Sequence, residues 1–106
     1  MTASSPVLHT VNKSPFASAA LESCLSHLSD GAALLLIEDG VYAALAGSAV
    51  SERLATAARR HALYVLGPDL KARGLADRPL VDGLQVVDYQ DFVRLAADHA
   101  TVHAWF

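Results

Sequence analysis

Two short, almost uninterrupted apolar runs constrain this chain more than anything else in it: residues 32–37 (AALLLI) and Ala62–Leu66 (ALYVL). A strand with one wet face alternates apolar and polar residues. A strand apolar at nearly every position needs cover on both faces, as the strands of a parallel sheet have. Two weaker runs, Val7–Val11 (VLHTV) and Leu84–Val87 (LQVV), lie on either side. Each connection between the runs is long enough for the crossover that a parallel pair requires.

The connections read as helices. Ser14 and Pro15 predict a helix start, as cap and first-turn proline. Ala20, Leu21, Cys24, Leu25 and Leu28 recur at helical spacing, and Asp30-Gly31 closes the segment. Residues 41–45 and 50–60 predict one broken helix or two short ones, with Leu54, Ala57 and Ala58 inward. Residues 68–74 predict a short helix stopped by glycine. Asp88 caps a last helix whose Phe92, Leu95, Ala96 and His99 share a stripe. The apolar end, residues 102–106, is either a fifth strand or a contact with another chain. The expected fold is therefore α/β: a single domain over residues 7–106, with a mainly parallel sheet of four or five strands and helices on both faces. Residues 1–6 form a short polar extension ahead of it.

Composition narrows the setting. At 106 residues the chain has room for one domain. It is 53% hydrophobic with a mean hydropathy of +0.31. For so small a chain, that excess is either buried between layers or covered by partner subunits. The longest apolar run falls far short of the ~20 residues needed to span a bilayer, and residues 1–6 lack the basic and apolar regions of a signal peptide. One cysteine excludes an internal disulfide framework and fits a reducing compartment, so a cytoplasmic protein is expected. A net charge of −3, with no basic run beyond Arg59-Arg60, argues against direct nucleic-acid binding.

Chemistry in an open parallel sheet gathers at the carboxyl ends of its strands. Those ends carry Asn12-Lys13-Ser14-Pro15-Phe16, Glu38-Asp39-Gly40-Val41-Tyr42 and Gly67-Pro68-Asp69. They mark Lys13, Ser14, Glu38, Asp39 and Tyr42 as a candidate docking rim. No glycine-rich phosphate turn follows the first strand, and no Gly-x-Ser-x-Gly elbow is present, so nucleotide binding and serine hydrolysis are unsupported. His9, His27, His61, His99 and His103 are scattered without a third carboxylate or thiol ligand, which reads as solvated or core-edge histidine and not as a metal site. Cys24 is the one candidate sulfur nucleophile. Its place on the Leu21, Leu25 and Leu28 stripe favours an inert core thiol. His27, three residues on, would face the same side, where its cation favours a thiolate. Trp105 and Phe106 are candidate interface residues.

These same segments resemble a known family. The opening Leu8-His9-Thr10-Val11-Asn12-Lys13-Ser14-Pro15-Phe16, the helix Leu21-Glu22-Ser23-Cys24-Leu25 and the loop Glu38-Asp39-Gly40-Val41-Tyr42-Ala43-Ala44 are similar to the DsrH/TusB family. So are Tyr64-Val65-Leu66, Asp69-Leu70-Lys71-Ala72-Arg73-Gly74, Val87-Asp88-Tyr89 with Phe92-Val93, and Val102-His103-Ala104-Trp105.

The resemblance implies a DsrE/DsrF/DsrH-like fold and a subunit of a sulfur-relay complex. Its expected partners are DsrE/TusD-like and DsrF/TusC-like subunits in a heterohexamer, a DsrC/TusE-like carrier and a TusA-like sulfur donor, with no cofactor and no metal. The complex would pass sulfane sulfur as cysteine persulfide, in sulfur oxidation or in 2-thiouridine formation at the tRNA wobble position. Any sulfurtransferase activity would belong to the assembled complex, whose principal acceptor cysteine lies on the DsrE/TusD-like subunit. Within that picture Cys24 is the candidate sulfur-carrying residue of this chain, and its presence tilts the reading toward the DsrH branch. The alternative is a non-catalytic structural subunit that completes the heterohexamer and forms a carrier-docking surface.

Overall fold

Five strands run parallel in the order β4-β3-β2-β1-β5: β1 Val7–Val11, β2 Ala33–Leu36, β3 Ala62–Leu66, β4 Leu84–Val87 and β5 Thr101–Trp105. They belong to a computed structural model that describes residues 6–106. Residues 1–5, most of the expected polar extension, lie outside the described residues. Between the strands lie four α-helices, α1 Ala20–Leu25, α2 Ser51–Ala57, α3 Gly67–Ala72 and α4 Tyr89–Asp98, and a 3-10 helix at Glu38–Ala44. No helix among the described residues is long and apolar enough to cross a membrane.

The strand order explains how the layers divide. From β1 to β4 the chain steps across the sheet in one direction, and then α4 carries it back over the whole sheet to place β5 beside β1. Parallel crossovers keep one hand, so reversing direction moves the connection to the opposite face. Helices α1, α2, α3 and the 3-10 helix accordingly share one face. There Leu21, Cys24, Val41, Leu54 and Leu70 pack with Val11, Leu34, Leu36, Leu63 and Val65. On the other face α4 lays Phe92, Leu95 and Ala96 over Leu8, Ala33, Leu35, Leu66 and Val87. The continuous apolar run of β2 thus divides by alternation, with Leu34 and Leu36 toward one core and Ala33 and Leu35 toward the other.

The last helix is capped by Asp88 as expected, and Asp91 makes the cap a reciprocal box. The Asp91 backbone N–H donates to Asp88 Oδ1 at 2.8 Å, and the Asp88 N–H donates to Asp91 Oδ2 at 3.1 Å. The first of these bonds, more than any other influence, holds the Asp88 carboxyl below its ordinary 3.8. Its stabilisation is therefore present above pH 3.8 and is lost as pH falls through the lowered value of the folded state. Asp88→Ala is expected to lower the melting temperature at neutral pH and to flatten the acid limb of melting temperature against pH. Calorimetry from neutral to strongly acid pH checks both.

Two boundaries differ from the sequence reading. Ser14 does not open the first helix. Its hydroxyl accepts from the Phe16 N–H at 3.2 Å and its carbonyl from the Ala17 and Ser18 N–H groups. That closes a separate turn before α1 starts at Ala20. A hydroxyl satisfying its own local turn competes with helix capping, which is why the sequence signal lies upstream of the helix. Residues 102–106 do contribute a fifth strand, β5, which begins at Thr101 and pairs along all of β1.

Candidate functional site

Because every strand is parallel, all carboxyl ends open on one rim. Glycine at position 40 lets the first two ends meet closely: a Cβ there would stand 2.1 Å from the Val11 carbonyl oxygen. Beside it the Glu38 backbone has a left-handed φ of 50°, a conformation in which non-glycine residues carry strain. Asp69 steadies it by accepting the Glu38 N–H on Oδ2 at 2.6 Å. Arg73 completes the network, donating from Nε to Asp39 Oδ1 at 3.0 Å and from Nη1 to the Asp69 carbonyl at 3.2 Å.

The sequence-selected rim residues therefore hold different positions. Lys13, Glu38 and Asp39 are exposed, and Ser14 is half-buried in its turn. Tyr42 packs against the core under the rim. Asp69, which the sequence places at the third strand end but which is not among the selected rim residues, and Arg73 tie the stretch Glu38-Asp39-Gly40 to α3. Asn12, at the end of β1, has a buried amide oxygen with no hydrogen-bond partner, alone among the described residues in this respect. On the same rim, Phe16 in the segment after β1 is 63% exposed and Phe106, directly after β5, is 80% exposed. At this point of the sheet the order of strands reverses, which is where open α/β sheets present their binding crevice.

Cys24 lies elsewhere. It is 0% exposed, inside the core between α1 and the sheet. Burial pushes its thiol up to about 12, the reverse of what a nucleophilic cysteine needs. The expected help from His27 is not found. Its Nδ1 sits 2.7 Å from the Ser23 carbonyl and 3.2 Å from Ser26 Oγ, and the ring turns toward Trp105, with centroids 5.4 Å apart. Helical spacing put the two residues on one side of the chain, but α1 ends at Leu25 and His27 lies beyond it.

The structure gathers what looked scattered. His9 on β1 is 4% exposed, and its Nδ1 accepts the Trp105 indole N–H at 3.0 Å. His103 stacks on the same indole with centroids 4.5 Å apart and planes at 10°. His9, His27 and His103 thus surround Trp105, although no set of three or more ligands among the described residues is arranged to hold a metal ion. The only hint in the sequence was the two-residue spacing of His103 and Trp105, which shares a strand face. Pairing that face with His9 required knowing that β5 lies beside β1.

Comparison with known proteins agrees with the fold and names the family. The crystal structure of the ychN protein from E. coli superposes with a TM-score of 0.82 at 20% identity, over 95% of this chain and 99% of that one. A protein of unknown function from Methanobacterium thermoautotrophicum superposes at 0.74 with 14% identity, over 94% of this chain and 99% of that one. Among curated proteins, Protein TusB of Pectobacterium parmentieri is 40% identical over 99 residues, covering 93% of this chain and 100% of its own length. Protein TusB of Escherichia coli O1:K1 / APEC is 43% identical over the same extent. Residues 13–102 match the profile described as DsrH like protein, and with full-length relatives at this identity the chain belongs to the DsrH/TusB family.

Proposed function

We propose that this chain is a cytoplasmic subunit of a sulfur-relay assembly serving tRNA thiolation, and that it acts there by assembly and docking while a cysteine of a sister subunit carries the sulfur. The relatives bearing the TusB name support the tRNA branch over sulfur oxidation. The observation that carries the division of labour is the burial of Cys24 at 0% exposure. Persulfide transfer is attack by a thiolate on a sulfur that both partners must reach, and a sealed thiol raised to about 12 meets neither condition.

In this reading the DsrE/TusD-like and DsrF/TusC-like subunits complete the complex, a TusA-like protein delivers sulfur and a DsrC/TusE-like carrier removes it. The surface offered to them is the carboxyl rim, with Lys13, Ser14, Glu38, Asp39 and Tyr42 at the β1 and β2 ends and Trp105 and Phe106 at the β5 end. Two exposed aromatic residues, Phe16 after β1 and Phe106 after β5, together with solvated charges supply the residue types of an interface core and its polar rim.

The test is persulfide transfer through the assembled complex carrying Cys24→Ala, which avoids the buried hydroxyl that serine would introduce. Sulfur delivered to the carrier is read by intact mass against time. Transfer within about twofold of the parent is expected. A loss of tenfold or more, with the complex still assembled, would assign sulfur carriage to Cys24 and overturn the reading.

A further inference from the structure

The hydrogen bond between His9 and Trp105 fixes a protonation state. An indole N–H only donates, so His9 Nδ1 must accept and can carry no proton, and the neutral ring bears its proton on Nε2. The bond joins the buried face of the interior strand β1 to the edge strand β5, across 96 residues of sequence. Trp105 is the penultimate residue of the chain, and its indole also meets His103 and His27. β5 is held by a backbone ladder on one side only, since it ends the sheet.

We propose that this bond is a proton-operated latch. It holds the Trp105 indole against β1 while His9 is neutral, and it releases the indole and the carboxyl end of β5 when His9 takes up a second proton on Nδ1. The one covalent change is the new Nδ1–H bond; loosening the end of β5 also gives up its last backbone contact with β1, where the Asn12 N–H donates to the Trp105 carbonyl at 3.5 Å. The proton comes from solvent, and the site changes from N–H···N to two N–H groups facing each other.

The surroundings set the direction. The titratable groups bearing on His9 are His103 on β5, His27 beyond α1 and His61 ahead of β3, each a cation when charged. On the β2 side its register partner is the apolar Leu34. Burial first, and then these histidines, hold the His9 imidazole below its ordinary 6.5. The folded state therefore binds the proton less tightly than the open one, so closure is fully favoured above pH 6.5 and weakens as pH falls below it. Releasing the indole relieves the penalty by admitting water to the imidazolium. The end that loosens carries Phe106, so acidification would remodel the β5 corner of the carboxyl rim. The latch goes beyond the relay reading and stands independently of it.

Trp105 is the one tryptophan of the chain, so its indole gives a single 15N–1H resonance. In the full chain this resonance and the His9 ring nitrogens are followed by NMR as pH is lowered. Three results are expected. At neutral pH the His9 nitrogens report the Nε2–H tautomer. The indole and His9 signals move together on one curve with its midpoint below 6.5. The curve becomes flat in His9→Asn, whose side-chain oxygen keeps an acceptor near the Nδ1 position without titrating. His27→Gln and His103→Gln should keep the curve and shift its midpoint upward. An Nδ1–H tautomer, an indole signal indifferent to pH, or a curve that survives in His9→Asn would each overturn the latch. If His9→Asn fails to fold, the tautomer and the shared curve of the unsubstituted chain still decide.

Discussion

Replacing Gly40 with alanine is expected to lower the unfolding free energy by about 3 kcal/mol or more, at the upper end of what overpacking costs. The added methyl would lie 2.1 Å from the Val11 carbonyl oxygen and 2.9 Å from its carbon, both of them backbone atoms. No side chain can swing aside. That carbonyl already accepts the Ile37 N–H at 3.0 Å, and β1 is laddered to β2 on one side and to β5 on the other. Relief therefore means shifting a strand paired on both sides or breaking the 3-10 helix at its start, where the Gly40 N–H donates to the Ile37 carbonyl at 2.8 Å. For a domain of ordinary stability, about 5–15 kcal/mol, this is a large share of the whole. The control is Gly47→Ala. That site has a φ of +82° but nothing within 4 Å of the added carbon, so only the left-handed backbone penalty of about 1 kcal/mol applies. Urea unfolding of the two variants at an unchanged m-value separates them. Equal losses would mean that the contact between β1 and the 3-10 helix yields without difficulty.

The second expected result concerns Cys24. A thiol raised from 9.0 to about 12 by burial holds roughly a thousandfold less thiolate at neutral pH, and its complete burial hinders the reagent further. A disulfide reagent is therefore expected to label the native chain at least about a thousandfold more slowly than the urea-unfolded chain. The same burial makes stability depend on alkali. The thiol's folded pKa lies above its unfolded value, so the contribution is full below pH 9.0 and is lost as pH rises from there through about 12. Comparing the parent with Cys24→Ala by urea unfolding at several pH values isolates this slope from those of tyrosine and lysine, which both chains share. Fast labelling of the native chain would show that α1 opens readily, and would bring Cys24 back within reach of a persulfide.

The accuracy of the sequence reading follows the range of the signal behind each part of it. The apolar runs located β2 and β3 because burial on two faces leaves a local mark. The cap at Asp88 and the stripe of Phe92, Leu95 and Ala96 on α4 were equally local and legible, whereas Asp91's return bond to the Asp88 N–H went unread and His99, expected on the stripe, lies just past the end of the helix. The Leu21, Cys24, Leu25 and Leu28 periodicity pointed to a core cysteine, and the side chain is in the core. Ser14 misled because its hydroxyl serves a turn, and the same residue type serves turns and helix caps by the same bond. His27 misled because helical spacing was extended past the end of the helix. The rim was half legible. Its position follows from parallel strands, whereas the clasp of Asp69 and Arg73 around Glu38 and Asp39 joins residues 31 and 34 positions apart in sequence.

Local periodicity was enough to read the class of fold and the strands covered on both faces, and it put the one cysteine on a core-facing stripe without deciding whether the thiol is sealed. These are consequences of periodicity, and periodicity is local. That β5 lies against β1 is legible only in the assembled sheet, because strand order depends on where a crossover lands and on the hand it must keep, neither of which leaves a mark within a strand. That one placement brings His9 to Trp105 and collects His27 and His103 around the indole.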